Sequence, residues 1–295
     1  MSANLKHQAA TEATPFAFIW RQLFQSIPSI PNTVDLSGQV ALITGSNIGL
    51  GFESARQLLA LNLSHLILAV RSKQRGDAAA KRLQAEFSSA QIGQCETLPL
   101  LDIAILNAGL SQPTYTRAEE TGHEITFQVN YLSTALLALI LIPILREKRG
   151  TTSPARLSLV GSDTSYYANW KGRDSEPIRE AMDNPASFDS WEAYKTTKLL
   201  LLMFTCELSK RIPSNEVIIN VSNPGACRGT QFGHADRSML EEAVLYVASL
   251  VLGRTATVGA RQFPPIMYEQ CGTALQNALW DETMRELAFA DLRVF

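Results

Sequence analysis

Residues 39–51, QVALITGSNIGLG, join an apolar run of strand length to a turn holding three glycines and then to a helical pattern that continues to Leu61. A second apolar run, His65–Val70, follows at once. Strand, turn, helix and strand in that order make a βαβ unit, whose parallel strands need cover on both faces. The alternation then repeats. A polar helical stretch spans Arg75–Phe87, a weak strand candidate lies near Glu96–Leu98, and the strongly apolar Leu101–Asn107 reads as another strand. A long helix from about Thr121 to Arg149, a strand at Arg156–Ser162, a helix from about Trp191 to Arg211 and a strand at Glu216–Val221 complete the series. Asp189, with Glu192 three residues on, has the spacing of a capping box and marks where the last of these helices begins. The expected fold class is α/β, a doubly wound parallel sheet in one domain over residues 37–295, with residues 1–36 as an N-terminal extension.

A chain of 295 residues with 46% hydrophobic content can bury a full core for such a domain. The formal net charge of -2 carries no basic footprint, which argues against nucleic acid as a partner. Cys95, Cys206, Cys227 and Cys271 are far apart and form no CxxC pair, so neither a zinc site nor a disulfide framework is expected, and a reducing, cytoplasmic setting fits. The longest apolar stretch, Leu132–Leu145, is interrupted by Ser133, Thr134 and Pro143, and no transmembrane segment is expected from it. Near the amino terminus, PFAFIWRQLF sets Phe16, Ile19, Trp20, Leu23 and Phe24 along one helical face. That stripe is expected to pack on its own domain, the other reading being contact with a membrane surface.

Three features carry chemistry. The turn Thr44-Gly45-Ser46-Asn47-Ile48-Gly49-Leu50-Gly51 has the glycines that let backbone N–H groups approach a phosphate at the positive end of a helix, although tight packing alone would also use them. At the end of the second strand, where an acid would bind the ribose 2′-OH of NAD, stands Arg71, followed by Lys73 and Arg75. A cation there suits the 2′-phosphate of NADP(H), the plainer reading being a solvated basic loop. Tyr194 and Lys198 stand at i and i+4 and share one face of the predicted helix, so an ammonium can favour the phenolate of a tyrosine that ordinarily ionises near about pH 10. Ser162 closes the strand before that helix, and Asn130 lies inside the preceding long helix.

TGSNIGLG, LNAG at 106–109, Asn130, Ser162, YKTTK and NPG at 223–225 occur in the order found in the short-chain dehydrogenase/reductase family, which the chain resembles from about Gly38 to about Gly253. It looks most similar to the retinol-dehydrogenase-like branch of fungal oxidoreductases that carry an N-terminal extension. The resemblance implies a Rossmann-type fold, a nicotinamide cofactor and a small-molecule carbonyl or secondary alcohol as substrate. It implies Tyr194 as general acid/base, Ser162 as the group orienting the substrate oxygen, Lys198 as the cation lowering the Tyr194 pKa and holding the nicotinamide ribose, and Asn130 as the end of a proton relay. Gly45, Ser46, Ile48, Gly49 and Gly51 would carry the cofactor phosphates, Arg71 the 2′-phosphate and Asn107 the adenosine side. Pro224, Gly225 and Thr230 would line the nicotinamide end. Tyr166, Tyr167 and Trp170, in a stretch longer than in the shortest members, would wall the substrate or anchor the loop. Self-association through the helix from Trp191 is implied in the same way.

The chain departs from the family in two places. From Cys95-Glu96-Thr97-Leu98 it passes through Pro99 and Leu100 directly into Leu101, without the helix that should cross to the next strand. Parallel strands need a crossover of roughly a dozen residues. Either the third strand is lost, or the helix from Arg75 is pulled over to act as the connection. After GRTATVGARQF a seventh strand and a substrate-facing loop are also missing. Two functional expectations follow: an NADP(H)-dependent oxidoreductase, or a non-catalytic remnant with impaired cofactor binding.

Overall fold

A computed structural model of the chain describes residues 14–25, 27, 30–31, 33–93, 100–170, 177–228, 253–260 and 273–287. Helix α1 (Pro15–Phe24) precedes β1 (Val40–Thr44), α2 (Gly49–Ala60), β2 (His65–Ala69), α3 (Lys73–Glu86), β3 (Gln91–Gly93) and β4 (Ile103–Leu106). The long helix α4 (Ile125–Glu147) leads to β5 (Ala155–Val160), then to a short helix α5 (Ile178–Met182) and to α6 (Ser190–Arg211). β6 (Val217–Ser222), β7 (Cys227–Arg228), β8 (Arg254–Thr255), α7 (Ala256–Ala260) and α8 (Thr273–Glu286) follow. The main sheet has the strand order β3-β2-β1-β4-β5-β6, and every pairing in it is parallel. That order reverses direction between β1 and β4, and ligands of such sheets bind outside the carboxyl ends of the strands at this switch point.

Alternate strand residues feed two separate cores, as the two-residue period of a strand requires. Val40, Leu42, Ile67, Ala104, Leu106, Leu157 and Leu159 point to the face covered by α4, α6 and α8. Ala41, Ile43, Leu66, Leu68, Ile103 and Ile105 point to the face covered by α2 and α3. Helix α4 is, among the described residues, the one helix long and apolar enough to cross a membrane by composition, yet Ala135, Ala138, Leu139, Leu141, Ile142 and Leu145 are buried in the first core.

The third strand is present, five residues before the expected position. Gln91–Gly93 pair with His65–Ile67 of β2, with α3 as their crossover; the candidate at 96–98 lies outside the described residues. Moving the strand upstream leaves residues 94–102 to reach β4. Nine residues can extend roughly 30 Å, more than the roughly 14 Å of the three inter-strand spacings between β3 and β4. Among the described residues the sheet ends at β6.

Helix α1 corrects a second expectation. It docks on the body of the protein through its polar side: Gln22 is buried, whereas Phe16, Trp20 and Phe24 are 73%, 55% and 66% exposed. The reason is hydrogen bonding, described below, which outweighs the amphipathic stripe in setting the helix orientation.

Carboxylates from α8 fasten the segment between Ser162 and α6. Glu282 accepts hydrogen bonds from the Ile178 and Arg179 N–H groups at 2.7 and 2.6 Å, at the amino end of α5. His123 lies between Asp183 at 2.6 Å and Glu286 at 3.1 Å, and Glu286 also pairs with Arg179 at 2.8 Å. Trp170 is buried in the first core and Tyr166 is exposed, so the first anchors the segment and the second faces outward.

Candidate active site

The turn after β1 uses glycine where the backbone demands it. Gly45 and Gly49 have φ of 64° and 58°, a region that side-chain-bearing residues avoid. Gly51 is needed for room: a Cβ there would lie 2.5 Å from the Gly45 carbonyl oxygen and 2.6 Å from Asn107 Nδ2. A Gly-to-Ala change in a helix ordinarily gains up to about 1 kcal/mol. At Gly51 overpacking against backbone dominates, and G51A is expected to cost about 1–3 kcal/mol and to weaken cofactor binding, as read by thermal unfolding with and without cofactor.

Helix α2 is preceded by Ile48, which offers no side-chain cap. The first-turn N–H groups of a 12-residue helix therefore face the glycine turn without a protein side chain on them, an arrangement that suits an anion. Ser46 is fully buried and its hydroxyl donates to the Ile43 carbonyl at 2.9 Å, so that proton is committed inside the turn. Asn107 is also spent on the turn, with Nδ2 donating to the Thr44 and Gly45 carbonyls at 3.0 and 3.4 Å. Thr44 Oγ1 accepts from the N–H groups of Asn107 and Ala108, both at 2.9 Å, which locks the end of β4 to the end of β1. Arg71 is exposed two residues after β2, whose last carbonyl, at Ala69, accepts from Gly45 N–H at 2.9 Å. Arg71 and the glycine turn thus follow the carboxyl ends of neighbouring strands.

Across the switch point, α6 brings Tyr194 and Lys198 against the end of β5. Asp189 caps this helix by accepting from the Glu192 N–H at 2.6 Å, while the Glu192 carboxylate turns to Asn169 N–H and Lys195 instead of closing the box. Tyr194 is buried and hydrogen-bonds Ser162. Ser162 Oγ accepts from Thr164 twice, from the N–H at 3.3 Å and the hydroxyl at 2.9 Å. Two accepted bonds use both lone pairs of a hydroxyl, so Ser162 has only its proton left to offer. Thr164, two residues beyond Ser162, thereby directs Ser162 as a donor.

Lys198 Nζ donates to the Val160 carbonyl at 2.7 Å and lies 5.9 Å from the centre of the Tyr194 ring. Burial draws the Lys198 pKa down to about 8. It pushes the Tyr194 phenol up to about 12, with the Ser162 hydrogen bond opposing. Desolvation of the phenolate sets the direction at Tyr194, and the Lys198 ammonium is aimed at a backbone carbonyl. Asn130 sits in a π-helical turn, Gln128–Leu132, inside α4. Its Oδ1 accepts from Leu110 N–H at 2.8 Å and its Nδ2 donates to the Leu110 carbonyl at 2.8 Å and Thr197 Oγ1 at 3.2 Å. A Cβ on Gly109 would lie 3.3 Å from Asn130 Oδ1 and 3.6 Å from Lys198 Nζ, so both flank the backbone of Gly109 with no direct bond between them.

Beyond β6, Gly225 has φ of 72°, and Pro224 and Cys227 approach Gly259 together with Leu50 of the glycine turn. The Asn223–Cys227 loop thus lies beside the turn. Asn223 Nδ2 donates to Asp163, next to Ser162. Thr230 lies outside the described residues. The structure therefore gathers Gly45, Gly49, Gly51, Asn107, Asn130, Ser162, Tyr194, Lys198, Pro224 and Gly225 at the carboxyl ends of β1, β4, β5 and β6. Gln22, Asp163, Thr164 and Arg254 join them from outside the expected set.

No protein-family profile matches the chain. The short chain dehydrogenase opdN of Penicillium oxalicum is 44% identical over 290 residues, covering 89% of this chain and 93% of the relative. The short chain dehydrogenase virL of Hypocrea virens is 37% identical over 333 positions, covering 98% and 96%. An alignment longer than this chain means that virL carries residues with no counterpart here. Among solved structures, the NADPH-dependent 3-quinuclidinone reductase of Rhodotorula rubra superposes with a TM-score of 0.54 at 21% identity, over 80% of this chain and 89% of that one. Sheet order, site placement and relatives of nearly full coverage agree: the chain belongs to the short-chain dehydrogenase/reductase family of oxidoreductases.

Proposed function

We propose that the protein is an NADP(H)-dependent oxidoreductase that interconverts a carbonyl and a secondary alcohol on a small, largely apolar molecule, with Tyr194 moving the proton. The observation that carries this reading is the Thr164–Ser162–Tyr194 hydroxyl series, set across the sheet switch point from an uncapped helix end. The residues fit a dinucleotide: the glycine turn and the α2 N–H groups would hold its phosphates, Arg71 the 2′-phosphate, and the Asn223–Cys227 loop would border its nicotinamide. When bound, the nicotinamide supplies or accepts the hydride. Tyr194, neutral at pH 7 with its pKa near 12, is protonated and ready to donate to a carbonyl oxygen. Ser162, whose one proton goes to the Tyr194 hydroxyl before substrate enters, would turn it to the same carbonyl oxygen and so orient it. Lys198, still mostly protonated at pH 7, holds positive charge beneath this pair.

NADPH is expected to raise the melting temperature, since a ligand that binds only the folded state stabilises it. NADPH absorbance is expected to fall when a panel of apolar ketones and aldehydes is added. The short β3–β4 connection favours the second reading, a fold that no longer holds cofactor; zero melting shift at saturating NADPH and NADH would establish it. Arg71→Glu is expected to turn the NADPH-to-NADH preference by about tenfold to a hundredfold, the worth of one charge-assisted hydrogen bond. An unchanged ratio in titrations of both cofactors would remove Arg71 from the site.

A further inference from the structure

We infer that helix α1 is a brace of the active site and that Gln22 is a positioning residue, setting through its side-chain amide the loop against which the nicotinamide end of the cofactor lies. This rests on the proposed cofactor binding. Gln22 is 8% exposed, and its amide bonds both backbone groups of one residue: Nε2 donates to the Ala226 carbonyl at 2.7 Å, and Oε1 accepts from the Ala226 N–H at 3.3 Å. A side-chain amide presents donor and acceptor in one plane, as a peptide group does, so Gln22 pairs with Ala226 as a neighbouring strand would. The approach is close enough that a Cβ on Gly225 would lie 2.6 Å from Gln22 Oε1.

The other attachments of α1 converge on the same place. Arg21 lies 3.6 Å from the Asp163 carboxylate, next to Ser162. Tyr167, in the segment after Ser162, donates its hydroxyl to the Thr14 carbonyl at 2.9 Å. Arg254, on β8, donates to the carbonyls of Arg21 and Gln25 at the end of α1, at 2.5 and 3.1 Å. Asn223 closes the circuit, bonding Asp163 through Nδ2 and accepting from Gly225 N–H through Oδ1 at 3.1 Å. Helix, loop and the end of β5 therefore form a ring with Ser162 on one side and the loop on the other. A helix kept only for bulk stability would bury its apolar stripe; this one leaves Phe16, Trp20 and Phe24 exposed and spends its polar side on the two borders of the site.

The test compares wild type with Gln22→Ala and with Gln22→Met, which keeps the volume and drops both hydrogen bonds, in the full chain. Amide hydrogen exchange over 223–228, without any cofactor, is expected to speed by about tenfold in both variants while the sheet strands stay as slow as in wild type. The KM for NADPH is expected to rise about tenfold with little change in the KM of the carbonyl substrate. Unchanged exchange over 223–228, or a uniform rise across the protein, overturns the brace. So does local loosening that leaves the NADPH KM untouched, or a Met variant that behaves as wild type. Should wild type bind neither nicotinamide cofactor, the functional reading falls, and the exchange comparison still decides whether Gln22 sets the loop.

Discussion

Replacing Tyr194 by Phe is expected to lower kcat by about 10²- to 10⁴-fold while NADPH still raises the melting temperature. The two outcomes separate because, on the proposed reading, Tyr194 would move a proton while the glycine turn and the start of α2 would hold the phosphates. The phenol is buried, bonded to Ser162 and pushed up to about 12, so at neutral pH it is an acid waiting for a carbonyl oxygen. Its loss removes the proton without altering the fold of α6, since the ring and its stack on Trp191 remain. The same pKa makes the reverse reaction pH-dependent: oxidation needs the phenolate, and its rate is expected to climb with pH across the alkaline range. Turnover within tenfold of wild type in Tyr194→Phe would place the proton donor elsewhere.

Lys198→Met is expected to abolish turnover and at the same time make the protein more stable at pH 7. Lys198 is buried, with the Val160 carbonyl as its hydrogen-bond acceptor, and burial lowers its pKa from 10.5 to about 8. A depressed pKa means that folding favours the neutral amine. Stability from this group is fully present only above about pH 10.5, declines as pH falls toward 8, and below that the folded protein carries the whole cost of a buried cation. Removing the charge should recover on the order of 1–3 kcal/mol at pH 7, after allowing for the lost bond to Val160, or roughly 2–6 °C in melting temperature. The gain should shrink between pH 8 and 10.5. Melting curves across that range decide the matter: a variant less stable than wild type at pH 7 would mean that Lys198 is compensated by contacts beyond Val160. A stabilising change that destroys activity is what a residue kept for chemistry should show.

Much of the fold could be read from local pattern. The β1–α2–β2 unit was legible because near-continuous apolar runs and a three-glycine turn are signals carried by adjacent residues, and the helix Ser190–Arg211 because Asp189 caps it from just outside. The pairing of Tyr194 with Lys198 needed only helical spacing. The third strand lies upstream of the 96–98 pattern because Gln91–Gly93 is a three-residue edge strand, exposed or half-buried along its length, and so has no apolar signature. Thr164 and Gln22 carry no signal of their role in the sequence for a related reason: a hydroxyl or an amide says nothing there about which partner will take its hydrogen bonds.

The sequence by itself determined the order of strands and helices, the glycine positions that the turn cannot do without, and which polar side chains would stand at strand ends. Those follow from backbone sterics and periodicity, which act over a few residues. Only the tertiary structure decided which face of α1 docks, because the bond that settles it joins residues 204 apart in the chain. Only the tertiary structure decided the direction of the Tyr194 and Lys198 shifts as well. Spacing placed a cation near a phenol, but the removal of water from both set their energies, and desolvation depends on everything packed around them.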